Sequence, residues 1–285
     1  MTPAEQAAAT DKACGALSSR RLEPFGAELT GDLARPLSGA EEDFLRALLD
    51  DRGLIVARGQ ALTHDRQVEL MRLFGPVLGD RATMTYVAPD DGILGLDALG
   101  FHSDLAFAPA PFDVISLHAI DVEDGQTCTR FVDGERVCAQ LDEALRGRLR
   151  GLTAAAVSSS ATGRTVSWDI PASAHRHDRG VIVDHPRTGR PILYVNEAQT
   201  ARINELERED SDALLDALFA RLYEPANVFE HRWHGGDLVM WDNWRIQHAR
   251  PPLKNVTRRK LQRAVVAKLS LYEQFPDFRP GDAMG

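Results

Sequence analysis

Two histidines and one aspartate are the side chains of this sequence best matched to a metal ion. His102 and Asp104 stand in the run Gly100-Phe101-His102-Ser103-Asp104-Leu105-Ala106-Phe107. In an extended chain positions i and i+2 project to one face, so an imidazole and a carboxylate can reach a common ion. The pair alone carries little weight, because a chain with 9 histidines and 42 acidic residues produces His-x-Asp by chance, and a hydrogen-bonded surface pair is the simpler account. A second run changes the balance. Gly236 to His248 passes from a turn through an apolar stretch, Leu238 to Trp241, into Asp242-Asn243-Trp244-Arg245-Ile246-Gln247 and ends on a histidine that supplies a third donor. Two imidazoles and a carboxylate on one side of iron(II) leave positions open for a chelating cosubstrate and dioxygen, whereas a structural zinc site asks for four closed ligands, commonly sulfur. The 3 cysteines, Cys14, Cys128 and Cys138, are odd in number and form no Cys-x-x-Cys pair, which disfavours zinc and fits reduced thiols.

A third run, Thr257-Arg258-Arg259-Lys260-Leu261-Gln262-Arg263, concentrates positive charge. If Leu261 faces a core from a strand, Arg259 and Arg263 share its face, and buried guanidinium groups require anions such as the carboxylates of a small cosubstrate or substrate. The alternative is a solvated strand edge paired with acidic residues.

Several elements of the chain are suited to holding such groups in place. Ser38-Gly39-Ala40-Glu41 has the spacing of a capping box, and Phe44, Leu45, Leu48 and Leu49 then form one helical stripe that ends at Gly53. Leu54, Ile55 and Val56 read as a short buried strand, and Thr63 to Phe74 as a second helix capped by Thr63 and closed by Gly75. Short β-rich runs between Gly, Pro and Asp turns dominate thereafter: Val114 to Ile120, Val181 to Asp184, Ile192 to Val195, Leu238 to Trp241 and Ala264 to Leu269. Two more helices are expected, from about Asp133 to Arg150 and from Ser211 to Tyr223. The set implies a mainly β protein with flanking helices (α+β), a sandwich or jelly roll with helices packed outside the β core. No repeat or linker divides the chain, so residues 22–285 are expected to form a single domain preceded by a flexible N-terminal extension over residues 1–21.

Composition narrows the function classes. The chain has 285 residues, 44% hydrophobic and 26% charged, enough for one sizeable core. Its 33 Lys plus Arg against 42 Asp plus Glu give a formal net charge of −9, and no basic block tracks a phosphate backbone, which sets nucleic acid aside. Met1 to Ser19 lacks the apolar core of a signal peptide, and no later run reaches membrane-spanning length. A cytoplasmic protein without a membrane partner is expected; assembly into a homo-oligomer is left open.

The order of these motifs resembles the taurine dioxygenase and 2,4-dichlorophenoxyacetate dioxygenase (TauD/TfdA) family of iron(II)- and 2-oxoglutarate-dependent oxygenases, from about Leu22 to Leu271. Gly26 to Gly31 resembles the family's opening strand, Leu54 to Gln60 its strand ending in arginine-glycine-glutamine, and Leu73-Phe74-Gly75-Pro76-Val77 its phenylalanine-glycine helix end. Gly125-Gln126-Thr127, His185 to Arg190, and Gly236 to His248 follow in the family's order. The resemblance implies a double-stranded β-helix (jelly-roll) core with His102, Asp104 and His248 as the iron(II) ligands. It implies that Thr127 hydrogen-bonds 2-oxoglutarate and that Arg259, eleven positions beyond His248, pairs with the far carboxylate of that cosubstrate. Arg263, fifteen positions beyond His248, falls where members place an arginine near the substrate anion or the cosubstrate. Trp241 and Asn243 match packing and supporting positions rather than reacting ones. The implied reaction consumes 2-oxoglutarate and O2, releases succinate and CO2, and oxidises, above all by hydroxylation, an unactivated carbon of a small or medium-sized organic acid or natural-product intermediate. The intact Asp104 disfavours halogen transfer, since related halogenases carry a small residue in place of that carboxylate.

Departures from the family pattern bear on the substrate. Members often carry a tryptophan before the first iron ligand; here Phe101 takes that position, where either aromatic can wall a pocket. Pro76 to Thr85 holds no histidine, whereas taurine-specific members use one against the sulfonate, so taurine is disfavoured. Met84, Tyr86, Leu94 and Leu96 are expected either to form an apolar lid that touches substrate above the metal or to close the core. Of the other histidines, His175 and His177 read as a solvated loop, His231 and His234 as strand ends near Gly235-Gly236, His118 as a satisfied barrel residue and His185 as part of a turn. Two further functions fit the same donors: a non-catalytic metal- or ligand-binding β-barrel, and a zinc hydrolase with water in the fourth position. The hydrolase leaves Arg259 and Thr127 without a purpose.

Overall fold

The apolar runs pair into two principal sheets, described in this computed structural model over residues 11–79, 86–88, 95–158, 168–170 and 174–278. Numbered in chain order, the larger sheet holds β1 (Lys12–Cys14), β2 (Leu17–Arg21), β3 (Ala27–Thr30), β4 (Leu54–Ala57), β5 (Tyr86–Val87), β7 (Val114–Val122), β15 (Leu238–Asp242) and β17 (Arg259–Val266). Their spatial order is β1-β2-β3-β4-β15-β7-β17-β5. The smaller sheet holds β6 (Leu99–His102), β8 (Cys128–Asp133), β14 (Val228–Arg232) and β16 (Ile246–Arg250) in the order β14-β8-β16-β6. From β6 to β8, and again from β14 to β17, the chain crosses between the two sheets strand by strand, which is the winding of a jelly roll. A three-stranded sheet of β9 (Thr153–Val157), β10 (Arg176–Gly180) and β13 (Thr200–Ile203) and a two-stranded one of β11 (Ile182–Asp184) and β12 (Pro191–Leu193) complete the described β structure.

Strand β15 shows how the layers form. Val239 and Trp241 enter the core between the sheets with Ile115 and Leu117 of β7, Phe131 of β8 and Leu261 and Val265 of β17. Leu238 and Met240 face the other way, against helices α1 (Gly39–Arg52) and α2 (His64–Met71). Both faces are covered, so the strand reads as an unbroken apolar run instead of alternating. The outer face of the smaller sheet, with Val132 and Ala249, is covered by α3 (Gly134–Gln140), α4 (Glu143–Arg150) and α5 (Arg208–Leu222), which bring Val137, Leu149, Leu215 and Leu218. A last helix, α6 (Leu271–Gln274), follows β17; no helix among the described residues is long and apolar enough to cross a membrane.

Helix α1 has the expected capping box between Ser38 and Glu41 and ends at Gly53 in the left-handed region, φ 72°. Two expectations need correction. The helix expected over Asp133 to Arg150 is two, because Leu141 is extended and Asp142 caps a new start by accepting from the Leu145 N–H at 2.8 Å. The flexible extension does not reach residue 21: β1 and β2 join the larger sheet, with Ser18 to Arg21 paired to Ala27 to Thr30 and Leu17 in the α1-facing core. Residues 1–10 of that extension lie outside the described residues.

Candidate metal centre

Strands β6 and β16 are neighbours, and His248 stands directly opposite His102 in their ladder. Cross-strand partners share a face, so both imidazoles turn into the space between the sheets, with ring centroids 4.3 Å apart. Asp104 lies just past the end of β6, in a turn where Leu105 holds φ 58°, so strand alternation alone does not place it. Asn243, fully buried in the turn between β15 and β16, does: its Oδ1 accepts from the Asp104 N–H at 2.9 Å. Its Nδ2 donates to the carbonyls of Asp104 and Phe112 at 2.9 and 3.0 Å. Asp104 Oδ1 then sits 3.3 Å from His102 Nε2 and 3.6 Å from His248 Nε2, and the donor atoms of all three residues lie within 4.8 Å of one another.

The protonation states suit a cation. His102 Nδ1 lies 2.8 Å from the Gly100 carbonyl, which can only accept, so Nδ1 donates there and Nε2 is the nitrogen turned toward the other donors. Burial, with the neighbouring His102, pushes His248 down to about 3, leaving it neutral at physiological pH. Burial opposes charge on Asp104, but the Arg263 guanidinium beside it and the hydrogen bond to His102 hold its carboxyl well below the usual carboxylate range. The donor set is therefore two imidazoles and one carboxylate, with Arg263 Nη2 on Asp104 Oδ2 and Oδ1 turned toward the imidazoles.

Around these donors, Trp241 and Phe131 flank the His248 ring at centroid distances of 5.0 and 6.4 Å, and the Arg263 guanidinium lies 5.5 Å from the Phe112 ring centre. Arg259 is buried at the start of β17. Thr127, immediately before β8, is buried, and its Oγ1 has no hydrogen-bond partner among the described residues. Buried hydroxyls are ordinarily satisfied, so this oxygen points to a group that the described residues do not supply. A pair of imidazoles with one carboxylate, an orphan hydroxyl and buried guanidiniums fit an iron(II) ion with an anionic chelator.

The expectation for Phe101 needs correction. It neighbours His102 on β6 and so points to the opposite face, where it stacks on Tyr223 at 4.4 Å and 7° within the helix-covered cluster. Tyr86 also turns away from the interior. It pairs with Gln262, is 40% exposed and lies under Lys260 Nζ at 4.4 Å, while its neighbour Val87 takes the inward face beside Leu261. Met84 and Leu94 lie outside the described residues, and Leu96 is exposed. His175 and His177 are partly buried beside or within β10, His175 against Phe275 at 4.5 Å, rather than in a solvated loop.

Sequence reasoning missed the ionic frame beneath the centre. Asp242 Oδ1 accepts from the Trp244 N–H at 3.1 Å, while its Oδ2 takes His185 Nε2 at 2.8 Å and Arg187 Nη2 at 2.5 Å. Arg245 forms a buried two-point pair with Asp133, at 2.9 and 2.6 Å. The available signal was the density of polar residues between two apolar strands without a glycine or proline to make the turn.

The family model described as "Taurine catabolism dioxygenase TauD, TfdA family" matches residues 18–265. The (S)-phenoxypropionate/alpha-ketoglutarate-dioxygenase of Sphingobium herbicidovorans is 30% identical over 267 residues, covering 85% of this chain and 92% of that protein. The alpha-ketoglutarate-dependent 2,4-dichlorophenoxyacetate dioxygenase of Cupriavidus pinatubonensis is 28% identical over 261 residues, covering 82% and 91%. Among solved structures, a taurine dioxygenase from Burkholderia xenovorans superposes with a TM-score of 0.72 at 22% identity, covering 89% of this chain and 91% of that one. AAD-2 in complex with Mn(II) and N-oxalylglycine gives a TM-score of 0.74 at 23% identity, covering 88% and 97%. The chain belongs to the TauD, TfdA family and is an iron(II)- and 2-oxoglutarate-dependent dioxygenase.

Proposed function

We propose that His102, Asp104 and His248 hold the iron, that Thr127 and Arg259 hold 2-oxoglutarate, and that the enzyme hydroxylates a carbon of a small or medium-sized organic acid whose anionic group meets Arg263. The observation that carries this reading is the convergence of three donors within 4.8 Å beside a buried arginine. Bound iron, with 2-oxoglutarate and dioxygen, supplies the oxidising power, and succinate and CO2 are the coproducts. The protein's contribution is position. Arg263 fixes the carboxylate of Asp104 by one oxygen, Asn243 fixes its backbone, and Thr127 and Arg259 orient the cosubstrate before reaction. The sheet-to-sheet core of Phe131, Trp241 and Ile246 keeps water from the far side of the imidazoles.

An acidic substrate agrees with the names of the relatives. Phenoxypropionate and 2,4-dichlorophenoxyacetate each carry a carboxylate on an apolar body, and a yeast relative, 26% identical, is named for sulfonates. A zinc hydrolase or a non-catalytic barrel leaves the Thr127 hydroxyl unexplained. The test is a panel of aryloxy and aliphatic acids scored for substrate-stimulated succinate formation, with Arg263→Leu alongside. Stimulation by acids but not by their neutral amides, with a KM raised about tenfold or more in Arg263→Leu, is expected. Equal stimulation by acids and amides would sink the substrate assignment.

A further inference from the structure

The two histidines depend on an unusually weak piece of β structure. β6 has four residues, is the outermost strand of the smaller sheet, and its pairing with β16 slips register between His248 and Arg250, immediately beyond the histidine pair. His248 Nδ1 has no hydrogen-bond partner among the described residues, so the aim of its ring follows from where β16 lies and from the flanking aromatics.

On the opposite face of the same two strands a closed set of contacts joins them. Tyr223, the C-cap of α5, lays its ring on Phe101 of β6 at 4.4 Å. Its hydroxyl donates to Gln247 Oε1 of β16 at 2.8 Å and accepts from the Glu197 N–H at 3.0 Å. Glu197 Oε1 in turn accepts from the Phe101 N–H at 2.9 Å, and Gln247 Nε2 donates to the Val195 carbonyl at 2.8 Å. Phe101 and Gln247 are the residues immediately before His102 and His248. Burial, with Glu197 nearby, raises the Tyr223 hydroxyl well above its ordinary value, so it stays a donor.

We propose that Tyr223 is a positioning residue for the metal centre, fixing the separation of β6 and β16 at the level of His102 and His248 from the far side of the sheet through Phe101, Glu197 and Gln247. The inference rests on the metal-centre reading above. Tyr223→Phe keeps the stacked ring and its volume, and removes one hydroxyl that no group of the centre touches. The hydroxyl's two hydrogen bonds, to Gln247 Oε1 and from the Glu197 N–H, are both lost; the spread of the imidazoles then widens and metal affinity falls, by about fivefold to tenfold.

Cobalt(II) titration of the metal-free full chain, read by the visible absorption of the bound ion, tests this. Tyr223→Phe is expected to weaken cobalt binding by that factor and to shift the absorption band, while Leu215→Ala, which loosens α5 from within its buried cluster, lowers Tm and leaves affinity within about twofold. Combining Tyr223→Phe with Gln247→Met should weaken binding by less than the product of the two single effects, since the Tyr223–Gln247 bond is common to both while each also removes one of its own, from the Glu197 N–H and to the Val195 carbonyl. Unchanged affinity in Tyr223→Phe, or an equal loss in Leu215→Ala, overturns the proposal; should Tyr223→Phe not fold, Gln247→Met decides by the same criterion. His248→Ala separates the two readings. If it binds cobalt like the wild type, the metal centre is misplaced; if it does not bind while Tyr223→Phe binds normally, the positioning role alone fails.

Discussion

Asn243→Asp isolates the clamp that brings Asp104 to the two histidines. The amide orientation is fixed by its partners: an N–H must face Oδ1 and two carbonyls must face Nδ2, at 2.9, 2.9 and 3.0 Å. An ionised aspartate of the same size keeps the first bond and sets an oxygen against two carbonyl oxygens. Two buried hydrogen bonds are lost and their acceptors left unsatisfied, a cost of roughly 2–6 kcal/mol. The protonated acid can donate to one carbonyl, so the folded pKa of the new group lies above the unfolded value of about 3.9. Below that unfolded value the acid is protonated in both states and the deficit is smallest. As pH rises toward the folded value, only the unfolded chain gives up its proton, and the deficit grows by about 1.4 kcal/mol for each unit of pKa elevation. Urea denaturation of wild type and variant at pH 5 and pH 8 measures this, with Asn243→Leu as a variant whose deficit does not change with pH. A deficit below about 1 kcal/mol, or one equal at the two pH values, would refute the clamp.

Two further outcomes follow from side chains that do not face the interior of the centre. Phe101→Ala should cost about 3–5 kcal/mol of stability, since the ring packs against Tyr223 in the helix-covered cluster, and should leave substrate KM near the wild-type value; a large KM change at unaltered stability would return the ring to the pocket. Glu41, which accepts from Arg35, Ser38 and Ala16, is held well below its ordinary range, first by Arg35, so its contribution is present above the unfolded value of about 4.3 and fades as pH falls below it. The Tm difference between wild type and Glu41→Gln should accordingly be larger at pH 7 than at pH 3.

Local signals were legible where they are self-contained. The Ser38–Glu41 box and Gly53 mark α1 to the residue, because a cap and a left-handed terminator act within one turn. The candidate donors were legible by residue type and by the order of motifs that resembles the family, the His-x-Asp pair alone being too common to mark them. Phe101 was misread because adjacent strand residues exchange faces, and the face depends on which residue the opposite strand meets. Strands β1 and β2, Lys12-Ala13-Cys14 and Leu17-Ser18-Ser19-Arg20-Arg21, have little strand propensity and are made by pairing along the sheet edge. The break between α3 and α4 hides at an aspartate that looks like any solvent-facing helix residue until it caps. Asn243 was read only as a packing or supporting position, and nothing in its residue type or spacing showed the clamp, because its partners are main-chain groups 139 and 131 residues away.

The direct opposition of His102 and His248 makes the β6–β16 alignment self-checking. Sliding one strand past the other by a single residue would rotate an imidazole to the helix side and present an aromatic or amide in its place, abolishing coordination. An edge strand this short tolerates mispairing cheaply, whereas a bound cation rewards one alignment alone, by its whole binding free energy. Loading with metal would thereby act as a proofreading step in assembly, trapping the correctly threaded chain and leaving slipped forms open to rearrangement.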